Sequence, residues 1–545
     1  MGIYIYLQIS HSVTKEEWEK VYEETLQLVN AFPFAEKRRI KCKGIDTVCL
    51  VKTKERKVVF QDWNGNKEEI GWWTIGDYET MSTAEDYSLQ RDLVEDDKIN
   101  ADAIDILLGQ FLEWDGENVP PYCYYLWGNK TQGEPYHIYL LAIACMIESR
   151  LKGKVLVNGD ITRGQCKKAV QLANRYLSEP IDVPDICDIQ RLAERVSKFP
   201  MSESKQLEAL EHFYLGTKDK EFGECIQRMF SEDAVDNYWK NRLEKSYIGT
   251  VGFSRDIKQY FLWGFDLQKL CRLVNFEKKE DSYASFIKDI LDTKLYQKEK
   301  DCSDMLEIDQ EASSTYSIAT LMAQVVFMGA RNDKVDRYIP IDEIRRVLNC
   351  ELGTKCNVDV IIDEYLEKER IQIEQSLKKQ NNNMEDASIS EGQTNSELFK
   401  QMMNRRIQRT EEKRQKYNIS EYDDLPYYET GDTVSPEMEE VIGKSYLFYH
   451  NSLQEDWYKN LMQQSAKERC QWLVEQNRTL LMRDKDWKKI FTDIFQNEDF
   501  FERYYPMVRV NCNIDGLVYL VRSFVLNDDL YEYAKEISKN SNFYK

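Results

Sequence analysis

The densest run of residue types able to do chemistry is Gly159-Asp160-Ile161-Thr162-Arg163-Gly164-Gln165-Cys166. A turn of this kind, opening a helix, presents backbone N–H groups to an anion. Arg163 adds a positive charge, so Gly159, Thr162, Arg163 and Gly164 form a candidate anion site. The glycine spacing fits neither the P-loop nor the dinucleotide fingerprint, because Gly-x-x-x-x-Gly is not followed by Lys-Ser/Thr. Capping is the simpler explanation, with Asp160 or Thr162 as N-cap and Gly159 making the turn. Cys166 falls in the first turn of the same helix, where a helix N-terminus and a nearby cation lower a thiol's pKa. With His137 as base and Asp160 to orient it, these residues make a candidate Cys–His set. Against that set, Cys166 shares a face with Ala169, Val170 and Ala173, which is the setting of a small core residue.

Other chemistries lack their residues. The four histidines (His11, His137, His212 and His450) lie far apart, and the 13 cysteines include no Cys-x-x-Cys pair. Neither shows metal-ligand spacing, so no metal and no cofactor is expected. The zincin, hydrolase and kinase signatures are missing. The 95 acidic residues offer too many carboxylate pairs for any one to single out a site. An odd, dispersed set of cysteines in a large chain reads as reduced thiols in a cytosol.

Candidate partner-binding residues are aromatic or basic. Tyr124, Tyr125 and Trp127 follow Pro120-Pro121 in an aromatic loop, and Trp457 and Trp487 belong to an aromatic-rich C-terminal stretch. Arg405, Arg406 and Arg409 lie in a basic helix over 400–416, followed by a stretch from Glu421 to Glu440 without Lys or Arg. Attraction between these two neighbours needs no external partner.

These residues must be positioned by a chain of 545 residues, too long for one ordinary core. Gly (23) and Pro (11) are scarce, which favours helices over tight turns. Ile3–Ile9 suits a buried strand. Thr14-Lys-Glu-Glu17 is a capping box for an amphipathic helix that Pro33 ends. Strand-like runs follow at Val48–Lys52 and Lys57–Trp63, with Asn64-Gly65 as a hairpin signal and a returning strand at Gly71–Ile75. Beyond residue 100 the periodicity becomes helical: Ala101–Trp114, Tyr136–Leu151, a short strand at Val155–Val157, Thr162–Leu177, then helices over 186–198, 203–216, 219–230, 234–246, 254–274 and 282–297. A shared aromatic–Lys–Asn pattern at 237–243 and 456–461 is the only echo of a repeat. Residues 341–373 read as helix, turn, helix and a β wing.

The expected fold is α+β and predominantly helical. It comprises a small mixed domain (1–95), an irregular helical domain (96–335), a winged-helix-like unit (336–376), a flexible charged linker with a basic helix (377–437) and a helical C-terminal lobe (438–545). The acidic second helix of the winged-helix-like unit would be repelled by DNA. A formal net charge of −21 argues against a whole surface that grips nucleic acid or an anionic membrane, although a local basic patch still can. The first residues carry no secretory leader, and no apolar run reaches the roughly 20 residues a membrane span needs. The expected function is a cytoplasmic, non-enzymatic regulatory or scaffold protein that binds one or more proteins through helical surfaces and aromatic anchors. One alternative is a two-lobed latent regulator, controlled by cleavage of, or binding to, the 377–434 linker. The other is a thiol-dependent enzyme centred on the Gly159–Cys166 turn. The sequence leaves the oligomeric state open.

Overall fold

A computed structural model describes residues 2–62, 65–93, 104–276, 282–297, 335, 337–385, 416–509 and 515–539. The chain opens with β1 (Tyr4–Ser10), α1 (Lys15–Ala31), β2 (Phe34–Cys42), β3 (Ile45–Lys52), β4 (Arg56–Asp62), β5 (Gly65–Asp77) and β6 (Thr83–Gln90). It continues with α2 (Ile106–Trp114), β7 (Cys123–Lys130), α3 (Tyr136–Arg150), β8 (Val155–Gly159) and α4 (Arg163–Ala173). The fold is mixed α+β, with a sheet region near the N-terminus and many helices after it.

β1 runs antiparallel between β7 and β8. Its alternation puts Ile5, Leu7 and Ile9 into the core. The capping box predicted at Thr14 forms, with Thr14 accepting from Glu17 N and Glu17 accepting from Thr14 N. α1 then buries Trp18, Val21, Tyr22, Thr25, Leu28 and Val29. α3 is apolar all round because it is buried almost all round, from Tyr136 to Glu148. The second sheet has the order β3-β2-β5-β4, with β6 also on β5. Its β4–β5 hairpin closes at the Asp62–Gly65 pair, as the Asn-Gly signal predicts to within one residue.

Three strands escape the periodicity. β2 carries Glu36, Lys37, Arg38, Arg39 and Lys41, so its charges hide it as a surface segment. β6 is polar, and β7 is the stretch expected to be an aromatic loop. β7 pairs with β1 from Tyr4–Lys130 to Ser10–Cys123.

The helical part comprises α5 (Ile189–Val196), α6 (Glu203–Phe213), α7 (Lys220–Met229), α8 (Glu232–Lys245), α9 (Val251–Leu262), α10 (Leu267–Leu273), α11 (Ser282–Asp292), α12 (Ile341–Leu352) and α13 (Val358–Glu385). The single helix expected over 254–274 is broken into α9 and α10 at Gly264, whose φ of +84° ends α9 in the left-handed region. The β wing expected at 371–373 is instead the interior of α13, which also carries helix past 377, where the linker was expected to start. Among the described residues, one apolar core gathers side chains from Ile5 to Ile362.

The C-terminal part comprises α14 (Pro436–Ser452), α15 (Asp456–Met462), α16 (Ala466–Gln476), α17 (Asp484–Gln496), α18 (Phe500–Tyr504), α19 (Asp515–Leu526) and α20 (Asp528–Ile537). The acidic stretch before it is folded, with a 3-10 turn at Tyr422–Tyr427 and Asn527 Nδ2 donating to Pro426 O and Tyr428 O. A second core joins Ile419–Ala534 to Ile45 and Cys49 of β3. The two halves of the sequence echo differ: Tyr238 is buried in an aromatic cluster, whereas Trp457, at the matching position, is 72% exposed.

Candidate functional site

The Gly159–Cys166 turn is built as a capping turn. Thr162 Oγ1 accepts from Gln165 N and Gln165 Oε1 accepts from Thr162 N, which closes a capping box. Gly159 has φ +112°, and a Cβ there would meet Tyr4 O at 2.7 Å. Asp160 Oδ2 accepts from Tyr4 N at 3.0 Å, and Arg163 Nε donates to Cys187 O at 2.8 Å. Asp160 and Arg163 thus brace this turn against β1 and the Pro184–Cys187 segment, while a Cβ on Gly164 would meet only Thr162 Oγ1, at 3.9 Å.

Cys166 does not meet His137. It is fully buried beside Cys145 and Cys187, and its contact with the Cys145 thiol, with burial added, pushes its own thiol well above the usual range. A thiol held above its ordinary range carries less thiolate at neutral pH. His137 Nδ1 lies 2.7 Å from Thr131 Oγ1, and burial lowers its pKa, partly offset by Asp160. His137 Nε2 has no hydrogen-bond partner among the described residues.

The aromatic candidates divide by exposure. Trp127 is buried against Trp72 and Tyr87 and donates Nε1 to Ser88 O, which ties the two sheets together. Trp487 is buried in α17 against Phe491. Neither indole offers a surface. Tyr124 is half-buried beside His11, and Tyr125, 60% exposed, meets Tyr6 edge-on on the outer face of the β7-β1-β8 sheet. Trp457 stands in solvent. Arg405, Arg406 and Arg409 lie outside the described residues, as does most of the predicted basic helix.

The most elaborated polar arrangement lies where the C-terminal part meets β3, and its residues were missed from sequence. Asn477 braces the segment before α17 by donating to Leu480 O and accepting from Leu480 N. The segment then runs beside the outer edge of β3: Leu50 N donates to Met482 O at 2.9 Å, and Leu50 and Arg483 form a parallel bridge. Both Leu50 and Met482 are fully buried. Tyr78 Oη donates to Asp484 Oδ1 at 2.6 Å, and burial, with that carboxylate beside it, pushes the phenol upward. Glu79 gathers Lys485 (3.3 Å), Lys52 (3.6 Å) and Arg483 (3.7 Å) around the Tyr78 ring. Arg483 is fixed in turn by Asp486 at 2.8 Å. The contact is one backbone hydrogen bond and one isolated bridge at the edge of β3, flanked by charged side chains. The only sequence signal was the alternation Arg483-Asp484-Lys485-Asp486, which reads equally as a solvated helix start.

A second polar cluster sits inside the helical part. Arg242 bridges Glu211 (2.6 Å) and Asp256 (2.9 Å), and Tyr238 and Ser246 complete the hydrogen bonds. Every member has a partner, which suits a structural network. A small pocket in the C-terminal part is lined by Tyr446, His450, Glu502, Arg503 and Tyr531. There His450 Nδ1 lies 3.4 Å from Glu502, and Arg503 is held by the carbonyls of Phe524 and Val525.

Among the described residues no group of His, Cys, Asp and Glu is arranged to hold a metal ion, and no helix is long and apolar enough to cross a membrane. Comparison with protein-family models, curated proteins and solved structures finds no match to this chain.

Proposed function

We propose that this chain works by binding other proteins, as a two-lobed regulator whose C-terminal lobe rests on the edge of β3. The observation that carries this reading is the seam itself. An edge strand is a ready template for pairing with another chain. Here the edge of β3 is taken by Met482–Arg483 of the same chain, under a cap of charges around Tyr78. A partner that binds near 377–434, or that engages the lobe once that tether is cleaved, releases the lobe and exposes a strand edge and the apolar surface of Ile45 and Cys49 together. The lack of a paired nucleophile and base at the Gly159–Cys166 turn favours this reading over a thiol enzyme.

Limited proteolysis of the full chain tests it. The expected result is a first cut between 377 and 434, after which the two fragments remain associated, because the seam needs no covalent link. Absence of a preferred cut in that interval, or immediate separation of the fragments at low salt, contradicts the proposal.

A further inference from the structure

The β2–β3 hairpin has two edges, and only one of them is filled. β5 pairs with β2 through Phe34–Asp77 and Ala35–Gly76 alone, then turns to β4 and β6. From Lys37 to Lys41 the other edge of β2 has no strand beside it among the described residues. The hairpin closes on Lys43 (φ +47°) and Gly44 (φ +81°), a two-residue turn flanked by the Cys42–Ile45 pair. That turn makes Cys42–Ile45 a hydrogen-bonded pair, so the alternate residues Ile40, Arg38 and Glu36 bond to β3 as well. The N–H and C=O groups of Lys41, Arg39 and Lys37 therefore point away from β3, toward the open edge. Leu50, opposite Lys37, follows the same alternation: its N–H points away from β2 and meets Met482.

The side chains of these residues form a stripe on one face. Lys37, Arg39 and Lys41 are exposed, and among the described residues none of them makes a hydrogen bond, an ion pair or a ring contact. Cross-strand neighbours share a face. Val48, 43% exposed, stands opposite Arg39, and Asp46 stands opposite Lys41. Cations on an edge strand repel a second copy of the same edge, which is the ordinary protection of such edges. The same charges select a strand of the opposite sign.

We propose that the open edge of β2 accepts an extended acidic segment of a partner protein, paired as an added strand beside Lys37–Lys41. A strand with Glu or Asp at alternate positions repeats every two residues, as the cations do, so its carboxylates meet Lys37 and Arg39 while its backbone meets their outward N–H and C=O groups. Val48 supplies apolar contact beneath, and Asp46 excludes a carboxylate at the turn end, which sets register. The stripe is short, about 13 Å at about 3.3 Å per residue. Leu481 over Ala35 and Leu50 bounds it at one end, and the turn bounds it at the other. Nucleic-acid binding at physiological salt draws on roughly six to ten neutralised phosphates. Three cations on a chain of net charge −21 fall well below that. This edge is distinct from the seam at β3, and binding here does not require the C-terminal lobe to move.

The test uses the full chain and a synthetic peptide of alternating Glu and Thr, with a block peptide of the same composition, duplex DNA and phosphatidylserine vesicles as competitors. The expected result is saturable binding of the alternating peptide with slowed amide exchange over residues 36–42. The triple variant Lys37→Glu, Arg39→Glu, Lys41→Glu weakens it by at least about tenfold, the scale of lost charge complementarity. An alternating Lys/Thr peptide then binds the triple variant, which also shows that the variant is folded. Equal binding of the block peptide, unchanged amide exchange, failure of the charge swap, or displacement by DNA or vesicles in preference to peptide each overturns the proposal. Proteolysis of the 377–434 segment reports on the seam separately, so failure of one reading leaves the other measurable.

Discussion

Gly223→Ala is expected to destabilise the helical part by about 3 kcal/mol or more, the upper range for forcing atoms into a packed core. An alanine Cβ at this position would stand 1.8 Å from Trp263 O and 2.7 Å from Trp263 C. Both are backbone atoms at the end of α9, immediately before Gly264, and have no rotamer by which to yield. The displacement would propagate into the Trp263 ring, which packs 4.8 Å from both Phe222 and Trp239. Gly164→Ala is the control. A Cβ there meets only Thr162 Oγ1, at 3.9 Å, and a helical Gly→Ala change with room stabilises by roughly 0.5–1 kcal/mol. Urea unfolding followed by tryptophan fluorescence compares the two. A Gly223→Ala midpoint equal to that of the unaltered chain contradicts this packing.

Stability is expected to fall by about 3 kcal/mol as pH rises from about 4.5 through 7, because of one carboxyl group. Glu148 is buried in α3, and its Oε2 accepts from Val157 N at 2.8 Å, where the outer edge of β8 would otherwise present a bare donor. Burial pushes its carboxyl up to about 7 from an ordinary value of 4.5, with Asp185 in the same direction and the Val157 bond, Arg195 and Arg191 opposing. The folded chain therefore holds this proton more tightly than the unfolded chain. Its contribution is complete below 4.5 and is lost as pH rises through 7. Glu148→Gln keeps an acceptor for Val157 and cannot ionise. The difference in stability between the two proteins, measured at pH 5 and pH 8, should change by most of that amount. Parallel pH profiles would show that Glu148 does not carry the effect.

Local rules made part of the fold readable. Thr14 and Glu17 announce α1 because a capping box is a four-residue device. At α4 the sequence offered Asp160 or Thr162 as N-cap, and the structure uses Thr162, with Gln165 completing its box; the apolar face of Cys166 foretold its burial. Strands that depend on distant partners were hidden. β7 reads as an aromatic loop because what makes it a strand is β1, more than 100 residues earlier in the chain. β2 reads as surface because its cations do face solvent, while its pairing with β3 is a backbone property. The break at Gly264 was lost in a continuous helical pattern. The seam was the least legible feature, since Tyr78 and Asp484 stand 406 residues apart and the Leu50–Met482 bond joins groups that every residue carries. The buried positions of Trp127 and Trp487 show the converse limit, because an aromatic near a proline or on an amphipathic helix has the same local pattern whether it packs or is presented.

Two-lobed regulation is tested by capture from native lysate with the full chain and with Arg483→Glu. This variant sets a carboxylate against Glu79 and Asp486 and removes the cation beside Tyr78. Amide exchange at Leu50 verifies that the seam has opened. The expected result is one stoichiometric protein partner common to both, captured at least about tenfold more by the opened chain, a coupling of roughly 1.4 kcal/mol. No partner with either protein, or equal capture once Leu50 has lost its protection, would contradict it.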